Sequence, residues 1–223
     1  MERAHLISVH IDSILRHNVK AGGLSAAVSS SHTSPYCFQV GLANIAQGEA
    51  VDETHLFGIG SIIKTFVAVV VFQLVEEANP GLTDTVGQHL QANVYRDIDD
   101  AETATVEQVL SHTAGIDSWE DNPSWIVDAA KMDIAHIWRK TEALDYIRRP
   151  KVAAPTPGTW YYANTNYTLL GLIVEKITQN TAEEEIRRRI LQSLNMKQTF
   201  LEGFEDSSRK NVACRYHHAT ILF

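Results

Sequence analysis

Ser61 opens a long apolar run, and Lys64 follows it three residues later in Gly60-Ser61-Ile62-Ile63-Lys64. On a helix that spacing puts both side chains on one face, about one turn apart. Among Ile62, Ile63, Phe66 and Val67 the ammonium is expected to lose hydration, which lowers its pKa. A lysine that can release its proton near neutral pH can serve as base to a serine hydroxyl, the opening step of covalent acyl transfer. The tetrapeptide is weak evidence by itself, because roughly one Ser-x-x-Lys arises by chance in a chain of this size. A second example, Ser207-Ser208-Arg209-Lys210, sits in a polar stretch with no apolar helix behind it. The competing reading makes Ser61 a helix N-cap and Lys64 a surface charge. For Lys64 it is poor, since the run from Ser61 to Glu77 offers no polar face to carry it and reads as buried on most sides.

A second group of reactive types is Trp160-Tyr161-Tyr162-Ala163-Asn164. In an extended segment Tyr162 and Asn164 point the same way. Tyr162 could shuttle a proton if a nearby cation lowered its pKa, and Asn164 could hold a substrate amide. Equally, Asn164 could cap a helix beginning at Thr165 while the aromatics fill core. Ser111-His112 looks like a dyad, yet catalytic partners meet through the fold and not through adjacency, so this segment reads as structural. Two other chemistries fail. Gly58-x-x-x-x-Ile63-Lys64-Thr65 misses the phosphate-binding loop at Ile63, where a β-branched residue obstructs the close backbone approach a glycine allows. The ten histidines contain no His-Glu-x-x-His, and Cys214-x-x-His217 is half of a zinc site.

The elements that must position these residues follow from periodicity and punctuation. Residues 6–15 alternate apolar and polar side chains as an amphipathic helix does. Leu24–Ser30 and Tyr36–Ala43 read as two strands joined by a Ser/His/Thr/Pro turn. Helices are expected over Ser61–Glu77, Thr105–Leu110, Ile126–Ala130, Ile134–Ile147, Thr165–Thr178 and Thr181–Leu194, with Asn79-Pro80-Gly81 ending the first and Thr181 with Glu184 capping the last. Pro150 through Gly158 reads as a rigid loop. The order is that of an α+β lobe interrupted by a helical lobe.

Three blocks carry a resemblance. Phe57-Gly58-Ile59-Gly60-Ser61-Ile62-Ile63-Lys64-Thr65-Phe66, Val109-Leu110-Ser111-His112-Thr113-Ala114-Gly115, and Pro157-Gly158-Thr159 through Tyr162-Ala163-Asn164, Tyr167, Leu169-Leu170-Gly171 and Glu175 stand in this order. Together they resemble the serine β-lactamase and penicillin-binding-protein family, of the class C β-lactamase, D-alanyl-D-alanine carboxypeptidase and esterase type, over most of residues 20–205. The resemblance implies a β-lactamase/transpeptidase-like α+β fold whose antiparallel sheet is incomplete here. The lobes would be residues 1–66 with 165–223 and residues 67–164, within one domain. It implies that Ser61 attacks a carbonyl, that Lys64 and Tyr162 handle the proton, and that Asn164 contacts substrate. The substrate would be a β-lactam, a D-amino-acid peptide or a carboxylic ester, with no cofactor and no metal. The family's later Lys/His-Ser/Thr-Gly motif has no counterpart before Phe223. The expectation is therefore a C-terminally truncated, weakly active molecule, with a catalytically impaired ligand-binding protein as the alternative. The missing strand would also carry one oxyanion donor, a loss of ~10²–10³ in rate.

Composition closes off other classes. The 223 residues are 44% hydrophobic and 21% charged, an ordinary globular balance. A formal charge of −8 argues against a nucleic-acid partner. The only dense basic run, Arg187-Arg188-Arg189, follows Glu183-Glu184-Glu185 at a spacing that reads as a solvated, self-neutralised face. No run is long enough to span a bilayer, and the N-terminal residues lack a signal-peptide core, so a cytoplasmic protein, or an exported one with its leader removed, is expected. Cys37 and Cys214 could pair or stay free. Self-association through an open sheet edge is a further expectation.

Overall fold

The computed structural model describes residues 9–10, 13, 22–31, 33–131, 138–205 and 211–214. Of the expected N-terminal helix only Val9, His10 and Ser13 are described, all helical; its remaining residues, the Ser207–Lys210 tetrapeptide and His217 lie outside the described residues. The chain forms two compact units, one from residues 1–59 and 206–223, the other from 60–205. The sequence reading placed the division at 66/67 and 164/165 instead. The units divide as they do because the helix after Ser61 and the helix after Asn164 share one core.

In the first unit β1 (Gly23–Ser30), β2 (Thr33–Asn44) and β3 (Glu49–Ala50) make an antiparallel sheet in that order. The sequence reading had two strands; the short third one comes from Gly48, whose left-handed φ of 66° lets the chain turn back so that Ala50 pairs with Leu42. Gly23 opposes Gly41, Ala26 opposes Phe38 and Ala27 opposes Cys37. Leu56 bridges Val212 in parallel, and the Cys214 N–H donates to Ala43 at 2.8 Å. Ala43, Val51 and Ala213 form a small core beneath these contacts. Cys37 and Cys214 are both free and exposed.

The second unit is helical. A 3₁₀ turn (Gly60–Ile62) leads into α1 (Ile63–Glu76), followed by α2 (Val86–His89), α3 (Ala92–Tyr95), α4 (Val106–Leu110), α5 (Pro123–Lys131), α6 (Asn164–Thr178) and α7 (Ala182–Ile186). Val70, Val71 and Leu74 of α1 belong to one core with Leu169, Leu170, Ile173 and Val174 of α6, Val106 and Val109 of α4, and Ile116 and Leu144. Each such side chain contributes about 1.5–3 kcal/mol of burial, so α1 is held by this stripe. It is not buried on most sides as its apolar sequence implied: Val69 and Phe72 are exposed. Of the helix expected over Ile134–Ile147, residues 134–137 lie outside the described residues, 138–141 are non-helical, and Glu142–Ile147 form a 3₁₀ helix.

The last helix also departs from expectation. Thr181 and Glu184 form their reciprocal cap, but from Arg187 to Leu191 the chain winds as an i→i+5 turn. The solvated-face reading fails through burial: Glu185 meets Arg188 and Arg189 one turn on, as the spacing implied, but inside the fold, while Glu183 and Arg187 find partners elsewhere. Glu183 pairs with Lys140 at 2.6 Å, and Arg187 with Glu205 at 2.5 Å. Glu185 is fully buried, held by Arg188 at 2.7 Å and Arg189 at 2.5 Å. Arg189 also reaches Glu77 just past the end of α1. Among the described residues no helix is long and apolar enough to cross a membrane.

Candidate active site

Ser61 lies in the 3₁₀ turn ahead of α1, immediately after Gly60, whose φ of 51° is a left-handed conformation that strains any residue bearing a Cβ. That turn leaves Ser61 exposed one helical turn before Lys64. Lys64 Nζ donates to Ser61 Oγ at 3.1 Å. The Tyr162 hydroxyl meets the same oxygen at 2.7 Å from a segment 101 residues away. Lys64 Nζ also donates to Asn164 Oδ1 and lies 4.9 Å above the Tyr162 ring centroid. The structure thus brings together all four residues singled out from the sequence. Ile62, not Ser61, is the cap residue of α1, and the Ser61 hydroxyl is engaged by Lys64 and Tyr162. Ala163, not Asn164, is the cap residue of α6, in an extended conformation that leaves the Asn164 side chain for Lys64.

Two opposed effects set the acidity of Tyr162. Partial burial pushes its pKa up, while hydrogen bonds to Lys64 and Ser61 and the nearby ammonium pull it down. The pull prevails, so the phenol is more acidic than usual.

A frame behind the site was not legible from the sequence. Asp117 is buried, and its carboxylate accepts the N–H groups of Val152 at 2.5 Å, Ala153 at 3.0 Å and Ala154 at 2.5 Å. Its carbonyl accepts the Thr165 hydroxyl, and Ser118 Oγ accepts the Asn164 N–H at 3.1 Å. Gly115, at φ 75°, lies so close to Pro157 that an added Cβ would come within 2.9 Å of the ring. These contacts fix the loop that delivers Tyr162 and Asn164. Their partners are 35–48 residues apart, so no local pattern announces them. Ser111 is not part of a dyad: its hydroxyl donates to the Glu107 carbonyl at 2.8 Å and contacts Thr113. Among the described residues no three His, Cys, Asp or Glu side chains cluster as a metal site.

A two-unit fold with an antiparallel sheet and a serine, lysine and tyrosine converging in the helical unit defines a class, and comparison with known proteins agrees. Residues 11–220 match the Beta-lactamase family model, and the chain belongs to that family. It is 26% identical over 196 residues to protein flp of Staphylococcus aureus strain MW2, spanning 85% of this chain and 37% of that protein. It is 28% identical over 159 residues to penicillin-binding protein 4 of Amycolatopsis lactamdurans, spanning 71% of this chain and 39% of that one. Among solved structures, D-amino acid amidase from Ochrobactrum anthropi SV3 superposes with a TM-score of 0.79 at 24% identity, over 100% of this chain and 59% of its own. The octameric penicillin-binding protein homologue from Pyrococcus abyssi superposes at 0.76 and 28% identity, over 96% of this chain and 47% of its own. The chain thus spans about two fifths of the length of these curated relatives.

Proposed function

We propose that this chain carries the nucleophile and proton-transfer groups of a serine hydrolase that forms an acyl-enzyme through Ser61. The observation behind the reading is the convergence of Lys64 Nζ, at 3.1 Å, and the Tyr162 hydroxyl, at 2.7 Å, on one Ser61 oxygen. With one proton lost from the Lys64–Tyr162 pair, Ser61 Oγ adds to the carbonyl carbon of the substrate while its own proton passes to the Tyr162 phenolate oxygen or to the neutral Lys64 amine. Collapse of the tetrahedral adduct breaks the bond to the leaving group, which takes that proton. Water then cleaves the Ser61 ester by the reverse proton path. Asn164, as the acceptor for Lys64 Nζ, holds the amine toward Ser61. It also stands where a substrate amide could compete for it.

The acyl donor is a β-lactam, a D-amino-acid peptide or amide, or a carboxylic ester. The relatives named for penicillin binding and as a D-amino acid amidase support the first two of these classes. We also propose self-association through the edge of β1, which among the described residues pairs with β2 alone. The octameric relative supports it.

The test is intact-mass and peptide mapping after incubation with a fluorescent penicillin, an activated ester and a serine-directed phosphonate, with Ser61→Ala alongside. An adduct on Ser61 that the variant lacks is expected, with kcat lowered by ~10⁴–10⁶ in the variant. An adduct on Ser111, or equal labelling of the variant, refutes the assignment. A Ser61 adduct that forms without turnover favours the ligand-binding alternative.

A further inference from the structure

His112 has no task in the acyl-transfer reading, yet it is built into the same few ångströms. It follows α4 with a left-handed φ of 60°, a conformation uncommon for a residue bearing a Cβ. That turn aims both its backbone and its ring at the segment carrying Tyr162. The His112 carbonyl accepts the Tyr161 N–H at 2.8 Å. The imidazole lies against the Tyr162 ring, with centroids 4.7 Å apart, and against Tyr167 on α6 at 5.2 Å. Its Nδ1 is 3.2 Å from the Ala163 backbone nitrogen and 3.1 Å from Asn166 Nδ2.

The Ala163 contact fixes the tautomer. A backbone N–H cannot turn round as an amide side chain can, so Nδ1 must present its lone pair and the proton resides on Nε2. We propose that neutral His112 is the positioning residue for Tyr162, backing the phenol with its ring and holding Ala163 through Nδ1, and that protonating the imidazole releases Tyr162–Asn164 and slows acylation of Ser61. The proposal rests on the reading of Ser61 as nucleophile.

Groups from three segments face the imidazole. From α1 comes the Lys64 ammonium, from the segment ahead of α6 the Tyr162 phenol, and from α6 the Tyr167 phenol and the buried amide of Asn166. Among the described residues no carboxylate pairs with it. Burial first, and the charge of Lys64 second, hold its pKa below the usual 6.5. In the cation, Nδ1–H would face the Ala163 N–H with two hydrogens between the nitrogens, and that clamp opens.

The test compares rates of Ser61 labelling by an activated ester in the wild type, His112→Asn and His112→Ala across pH 4.5–8, beside an imidazole ¹⁵N titration of His112. Asn tolerates the left-handed backbone and offers an amide oxygen in place of Nδ1, but it does not titrate. The ratio of wild-type to His112→Asn rates cancels protonation steps at Lys64 and Tyr162. It is expected to be level above pH 6.5 and to fall about tenfold per pH unit below the inflection that NMR assigns to His112. His112→Ala should be slower by a factor on the order of 10² at neutral pH, as displaced reacting groups are, with His112→Asn recovering most of that loss. A ratio independent of pH, or an imidazole that titrates without any change in labelling rate, overturns the proposal while leaving the nucleophile in place. Absence of any Ser61 adduct in the wild type overturns the parent reading as well. If His112→Ala does not fold, the His112→Asn ratio decides.

Discussion

Replacing Glu185 with Gln tests whether the helical unit that carries Ser61 is held by a buried charge. Burial pushes the Glu185 carboxyl up, but hydrogen bonds from Arg189, Arg188 and Asn180 outweigh it and bring its pKa from 4.5 down to about 2. A carboxylate depressed in this way stabilises the fold above its unfolded pKa, and the stabilisation is lost as pH falls through the folded one. A shift of that size corresponds to about 3 kcal/mol at pH 7, with roughly half left at pH 3 and almost none at pH 2. Gln keeps the shape but not the charge, and leaves Arg189, itself mostly buried, without the carboxylate at its 2.5 Å contact. Glu185→Gln should therefore cost about 3 kcal/mol at pH 7, and the difference from wild type should shrink as the wild-type carboxyl protonates. All four tryptophans, Trp119, Trp125, Trp138 and Trp160, lie within residues 60–205. Urea unfolding followed by tryptophan emission thus reads this unit alone. A cost below about 1 kcal/mol, or one equal at pH 7 and pH 3, would refute the reasoning. Because Arg189 also ties Glu77 at the end of α1, the same variant should lower the urea midpoint for Ser61 labelling in parallel.

Lys64→Ala and Lys64→Arg should both lose about 10²–10⁴ in acylation rate, since the guanidinium keeps the charge but cannot give up its proton; an Arg variant within tenfold of wild type would make Lys64 a mere counter-charge. Lysine at exposed Ala27 on β1 should shift any concentration-dependent mass in light scattering toward the monomer, because an edge charge blocks strand pairing. A wild-type mass that stays monomeric at every concentration removes the edge proposal.

The order of the elements was legible in the sequence because its signals are local. Gly60 before Ser61, the three-residue step to Lys64, the cap at Thr181, and the strand patterns of β1 and β2 each act within a turn or a strand pair. Ser61, Lys64, Tyr162 and Asn164 could be named on residue type and spacing. Their meeting could not be derived that way, since the Tyr162 hydroxyl crosses 101 residues to reach Ser61 Oγ. What only the tertiary structure decided shares this feature of partners distant along the chain. Burial of Glu185 depends on how α7 packs, and an acidic triplet beside a basic one looks the same whether it is solvated or enclosed. The apolar run of α1 could not say which face has a partner: Val71 and Leu74 found α6 and its neighbours, whereas Val69 and Phe72 did not. His112 read as a structural residue of a Ser-His-Thr segment. Its left-handed turn sets its Nδ1 on Ala163 and its ring on Tyr162, because a histidine's role is fixed by what faces each ring nitrogen, and sequence spacing carries no record of that.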